Sequence, residues 1–227
     1  MSGRAVAGTP KSLKAKKLDN GDYVHLGLKQ ALQSRLKTVT RGDVSELMID
    51  INIDGMTASV SSNLDVWPIL GRCLNLVQDK PFAIGIFSGS SKPDPIEDYV
   101  ADLIAELQTL LLEGIESSGK RYEIPVQRFI FDAPARAYAK CITGRTGKDG
   151  CERCLQEGEH DGSRVVFEPQ VSAPRTDESF RCKVEADTRA GFAGESSPAC
   201  SARVSPVSVF RPYARAAHGS TRTVDRV

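Results

Sequence analysis

The sequence predicts an α/β domain: a mixed sheet under one long covering helix, followed by a disordered C-terminal tail. Three observations carry this. Residues Leu47 to Asp54 alternate apolar and polar, the period of a half-buried strand. The short apolar runs Phe82 to Phe87 and Val126 to Phe131 are too brief for helices and read as further strands. Ile96, Tyr99, Val100, Leu103, Ile104, Leu107, Leu110 and Leu111 fall at helical spacing, with Glu97, Asp98, Asp102 and Glu106 on the opposite face.

Taken in order, residues 1–21 form a basic, polar, disordered lead-in. Residues 22–38 predict a short helix, with Asp22 as its N-cap and Val24, Leu28, Ala31, Leu32 and Leu36 on one face. His25 then lies on that helix's surface. In the strand 47–54, Leu47, Ile49, Ile51 and Ile53 face one way, and Met48, Asp50, Asn52 and Asp54 face the other. Asp54-Gly55 signals a tight turn, and Thr57 to Ser61 is expected to return as a second strand. Trp67 to Leu70 and Leu74 to Val77 are apolar enough to be buried, but Pro68 argues against a central strand. Trp67, the only tryptophan, reads as a core or sheet-edge residue rather than a base-stacking platform.

Asp94-Pro95 predicts the start of the long helix, an N-cap followed by proline at the first helical position, and Gly114 predicts its stop. Asp132 stands where the next strand hands over to a helix, because Pro134 suits a first helical turn and Ala133, Ala135, Ala137, Tyr138 and Ala139 continue it. Gly144, Gly147 and Gly150 then open a loop that closes on Cys151-Glu152-Arg153-Cys154, with His160 beyond it. The order is three strands, long helix, strand, helix. It implies an antiparallel meander whose crossover returns the fourth strand parallel to the first, a partial ribonuclease-H-like core over residues 22–160. In that order Asp54 and Asp132 leave neighbouring strands.

The formal net charge is +1, but it is unevenly placed. Residues 1–41 hold nine Lys/Arg against Asp19 and Asp22, and residues 42–132 hold six against fifteen Asp/Glu. The basic start suits phosphates, so DNA is a possible partner there; a solvated tail followed by an acidic helix face is the plainer account. No apolar signal region and no run of 18 apolar residues occurs, so no membrane partner is expected and an intracellular setting is. In that setting the six cysteines read as thiols rather than disulfides.

Two constellations carry chemistry. Clustered carboxylates hold the paired divalent ions of phosphoryl transfer, and Asp54 with Asp132 are the candidates for Mg²⁺, Asp50 a weaker one. Their plainer roles are a turn residue and a helix N-cap. Cys151 and Cys154 have the spacing of two thiolates on one zinc, with His160 as a third ligand and Cys141 or Cys182 as a fourth; two thiols in a loop is the alternative. A thioredoxin-like redox pair is disfavoured, since the motif lies in a Gly-rich loop rather than at a helix start.

Phe131-Asp132-Ala133-Pro134-Ala135-Arg136-Ala137, Lys140-Cys141-Ile142 and Gly150-Cys151-Glu152-Arg153-Cys154 resemble the transposase-related proteins of animal genomes similar to the CACTA (En/Spm) group of DNA transposons. Upstream matches are Asn52-Ile53-Asp54-Gly55-Met56, Ser61-Ser62-Asn63, Val66 to Arg72 and Ala83 to Phe87; a downstream one is Arg175 to Arg181. The resemblance covers residues 20–181 and implies a DDE-type core with catalytic Asp54 and Asp132, a zinc-binding insertion and a nuclear, transposable-element origin. It also implies a third metal-binding acid well beyond the cysteines, and a His that is often found where this chain has Arg145. In the residual tail after Arg181, Glu185, Asp187 and Glu195 are the acids before Asp225, in a stretch with no Leu and no Ile. Residues 161–227 are therefore expected to be irregular and mostly disordered, and the chain to be catalytically incomplete, or a binding module that keeps the fold without the chemistry.

Overall fold

The computed structural model describes residues 14–36, 44–59, 61, 63–76, 80–140, 144, 146–148, 150, 151, 153–168, 172–174 and 176. The chain divides into two compact units between Ile130 and Phe131. The first is a mixed α/β unit whose sheet is mainly antiparallel. It comprises β1 (Lys16–Leu18), β2 (Gly21–His25), α1 (Leu28–Leu36), β3 (Ile49–Ile53), β4 (Met56–Ser59), β5 (Leu64–Cys73), β6 (Phe82–Gly89), α2 (Ile96–Glu113), β7 (Ile115–Ser117), β8 (Lys120–Tyr122) and β9 (Val126–Ile130). The main sheet runs β1-β2-β6-β5-β3-β9, with β4 on β5, and of these strands only β3 and β9 pair in parallel.

The parallel pairing starts before the strands themselves. Leu47 N–H donates to the Glu123 carbonyl at 2.8 Å and Glu123 N–H to Ser45 at 2.9 Å, so the β9 segment is zipped onto β3 from its approach onward. Chain geometry demands a long connection between parallel neighbours, and β4, β5, β6 and α2 fill it. Helix α2 buries Ile96, Tyr99, Val100, Leu103, Leu107 and Leu110 along one stripe. Tyr99 donates to the Trp67 carbonyl of β5 at 3.0 Å and meets Tyr23 of β2 edge-on at 5.4 Å between ring centres. Gly114 ends the helix at φ 70°, a conformation costly for residues with a Cβ, and its N–H closes onto Leu110.

Several expectations are corrected. Residues 22–38 do not form one helix. Gly21 to His25 pair with β6, Tyr23 opposite Phe87, and the helix begins only at Leu28, after Gly27 at φ 93°. Val24 and Leu28 share a helical spacing by coincidence, and Asp22 is a strand residue in ion-pair contact with Lys17, not an N-cap. Lys16 to Leu18, expected to be disordered, form β1 against β2. The residues after Gly55 return as β4, but β4 pairs with β5 rather than β3. Pro68 lies within the central strand β5. It is tolerated there because β4 pairs with Leu64 to Val66 and β3 with Ile69 to Cys73, so Pro68 has a registered neighbour only on the β6 side. Asp94 is not the cap of α2: Pro95 holds that position with no side-chain cap bond, and the Asp94 N–H is held by Asn20 Oδ1 at 3.1 Å.

The second unit contains α3 (Ala133–Lys140) and a hairpin of β10 (Glu159–Asp161) and β11 (Arg164–Val166). Residues 161–166, expected to be irregular, belong to that hairpin, whose turn is made by Gly162 at φ 60°. The rest of the tail beyond residue 176, including Cys182, Glu185, Asp187 and Glu195, lies outside the described residues, as do residues 1–13 of the basic lead-in.

Candidate carboxylate and thiol sites

Strand β3 ends at Ile53 and β9 at Ile130, and the register places Asn52 beside Ile130. The Asn52 side-chain amide donates to the Ile130 carbonyl at 2.9 Å, fixing the point where the chain leaves β9. Asp54 is the residue after β3 and is exposed. One of its carboxylate oxygens accepts the Gly55 N–H at 2.8 Å, so the side chain supports the turn. Gly55 is required there: a Cβ would be driven into the Trp67 indole.

Asp132 belongs to the second unit. Its Oδ1 accepts the Ala135 N–H at 2.6 Å and its carbonyl accepts the Arg136 N–H at 2.9 Å, so it is the N-cap of α3. Both plainer roles, turn residue and helix cap, are thus occupied by Asp54 and Asp132. Neither role consumes both oxygens of a carboxylate.

Asp50 has a different fate. It is buried, and it meets Arg128 of β9, its register partner, through Nε to Oδ1 at 3.1 Å and Nη2 to Oδ2 at 2.8 Å. A carboxylate whose two oxygens are forked by guanidinium is neutralised and poorly placed to bind a cation. The Asp50 hydrogen bond and charge in turn raise the Arg128 pKa. Sequence pattern gives no signal for Arg128, because the pair exists only through the parallel register.

His25 sits in β2, not on a helix surface. Its Nδ1 lies 3.0 Å from the Tyr23 hydroxyl and its Nε2 lies 3.0 Å from Glu106 of α2. Burial, then the charges of Asp102 and Glu106, push the Tyr23 pKa up, so the phenol keeps its proton. It can therefore donate to Nδ1, which leaves Nε2–H for the Glu106 carboxylate. Glu106 also accepts the Leu28 and Lys29 N–H groups at 2.6 and 2.8 Å, capping α1 from outside that helix. Burial alone would raise the Glu106 pKa, but the His25 hydrogen bond and the two backbone donors outweigh it and hold the pKa below the ordinary value.

Cys151 Sγ and Cys154 Sγ lie 3.2 Å apart, both half-buried thiols. His160 is exposed on β10, opposite Val165. Among the described residues no three His, Cys, Asp or Glu side chains come together to hold a metal. A tetrahedral zinc site takes four ligands, of which the described residues bring two sulfurs together. Cys141 and Arg145, like Cys182, lie outside the described residues.

Among the described residues no helix is long and apolar enough to cross a membrane. In comparisons with known proteins, no family model matches the chain and no curated protein matches it.

Proposed function

We propose that this chain is a transposase-derived protein whose residues 22–160 derive from the ribonuclease-H-like core of a cut-and-paste DNA transposase, and that it does not itself cut or join DNA. The observation that carries this is the parallel pairing of β3 with β9 across a helix-containing crossover, in the order β6-β5-β3-β9. The chain leaves those two strands toward Asp54 and Asp132. Hard oxygen ligands at those positions suit Mg²⁺, which would supply charge stabilisation for phosphoryl transfer.

The donor set falls short in number. Two-metal transfer needs several anionic ligands held on rigid elements. Asp50, the remaining carboxylate on β3, is claimed by Arg128. The acids further along, Glu185, Asp187 and Glu195, fall in a stretch with no Leu or Ile to pack a helix. That same Asp50–Arg128 pair favours the second reading, a DNA-binding or protein-interaction module that keeps the fold. Zinc at Cys151 and Cys154 belongs to the first reading only with ligands from outside the described residues, and metal analysis of the purified chain tests it.

A supercoiled-plasmid nicking assay in Mg²⁺ and Mn²⁺ tests the proposal. The parent and an Asp54→Ala, Asp132→Ala double variant are expected to be equally inactive. Nicking by the parent that the double variant lacks would overturn it. DNA binding is expected to be weak, indifferent to sequence and salt-sensitive. Replacing Arg4, Lys11 and Lys14 with Gln should make the fall of log affinity with log salt shallower, by about one unit of slope for each phosphate no longer neutralised.

A further inference from the structure

We propose that Cys151 and Cys154 form a reversible dithiol–disulfide pair that exchanges electrons with low-molecular-weight disulfides of the glutathione class. The sulfurs lie 3.2 Å apart, and a disulfide bond of about 2.05 Å would require them to close by about 1.2 Å. The backbone on either side of the pair is held by hydrogen bonds. Before it, Gly147 N–H donates to Gly144 at 2.9 Å and Gly150 N–H to Gly147 at 3.0 Å. After it, Leu155 N–H donates to Ala173 at 3.0 Å, and Cys154 bridges to Pro174. Gly158 N–H donates to the Lys148 carbonyl at 2.8 Å and closes the loop around both cysteines. Part of the entropy that ring closure costs is therefore already lost in the reduced state.

Access points the same way. Both thiols are half-buried, so a small disulfide can reach them, whereas Cys73 is buried in the sheet.

The exchange balances without further reagents. One cysteine thiolate attacks the small disulfide, forming a mixed disulfide and expelling one small thiol. The second thiolate attacks the protein sulfur of that mixed disulfide and expels the other small thiol. The protein loses two S–H bonds and gains one S–S bond. The two electrons and two protons end on the two small thiols.

The test uses the reduced full chain in a series of reduced-to-oxidised glutathione ratios, quenched with acid, alkylated and digested with trypsin. Trypsin cuts after Lys148, Arg153 and Arg164, so the cysteines fall on separate peptides, Asp149 to Arg153 and Cys154 to Arg164. As the oxidised fraction rises, the two peptides are expected to appear joined and two hydrogens lighter than their sum, and to separate again when reduced glutathione is restored. The Cys73 peptide should stay alkylated throughout. A Cys151→Ser variant should instead accumulate a stable mixed disulfide on Cys154. Two outcomes would overturn the proposal: both peptides individually alkylated or glutathionylated at every ratio, or one zinc per chain that copurifies and shields both thiols from exchange.

Discussion

Arg128 of β9 and Asp50 of β3 are register partners in the parallel pair of the main sheet, and the guanidinium forks onto both carboxylate oxygens. The Asp50 side chain is 4% exposed while that of Arg128 is 55% exposed, so the carboxylate is the buried partner and the arginine covers it from the solvent side. Removing Arg128 leaves a buried anion uncompensated. Arg128→Met is expected to cost about 2–3 kcal/mol, below the range for a fully enclosed pair because water reaches the vacated position. Adding Asp50→Asn should recover part of it, since a neutral amide is cheaper to bury. Urea unfolding measures both; a double variant no more stable than Arg128→Met would show that the charge is not what the arginine compensates.

Asp132 separates its structural role from a chemical one by substitution. As an N-cap it is replaceable by Asn, which accepts the same backbone hydrogen bond. Asp132→Asn should leave stability unchanged and Asp132→Ala should lower it by about 1 kcal/mol. Equal losses from both would show that charge rather than capping geometry is what the position contributes.

The Glu106 carboxylate holds the N-terminus of α1, and this makes the α1 attachment acid-sensitive. Its folded pKa lies below the 4.5 of the free group, so the stabilisation is fully present above pH 4.5 and is lost as pH falls below that through the folded pKa. Glu106→Gln should cost about 1–2 kcal/mol at neutral pH and flatten the acid limb of a stability–pH curve. Amide exchange at Leu28 and Lys29 should rise in the variant. An unchanged acid limb would assign the pH dependence to other carboxylates.

Gly55→Ala should be poorly tolerated. The new methyl group would meet the Trp67 ring, and overpacking of this kind costs about 1–3 kcal/mol. Trp67 is the only tryptophan, so its fluorescence reports the disturbance directly. An unshifted emission spectrum with unchanged stability would place the ring elsewhere in solution.

Much of this was legible from local pattern. The eighteen-residue helix α2, the strand β3 and the handover at Asp132 follow from period, flanking glycine and a capping carboxylate, all of which act within a few residues. The Cys-x-x-Cys spacing likewise implies that two thiols lie close together. The parallel return of β9 beside β3 follows from element order, because a long crossover leaves few alternatives, whereas the expected meander does not form, since β3 and β4 both pair with β5.

Only the tertiary structure decided the rest. Gly21 to His25 are a strand because β6 offers them an edge, and nothing within the segment distinguishes that outcome from a helix start. Pro68 is central because β3 and β4 happen to leave a break beside it. Asp50 is a buried ion-pair partner rather than a metal ligand because Arg128, 78 residues away, falls opposite it. The sequence by itself determined the helices α2 and α3, the strands β3, β4, β6 and β9, and which side chains are chemically capable. Which strands pair, and therefore which carboxylates are neutralised, was decided by packing and hydrogen-bond energies between segments far apart in the chain, and local periodicity carries no record of those.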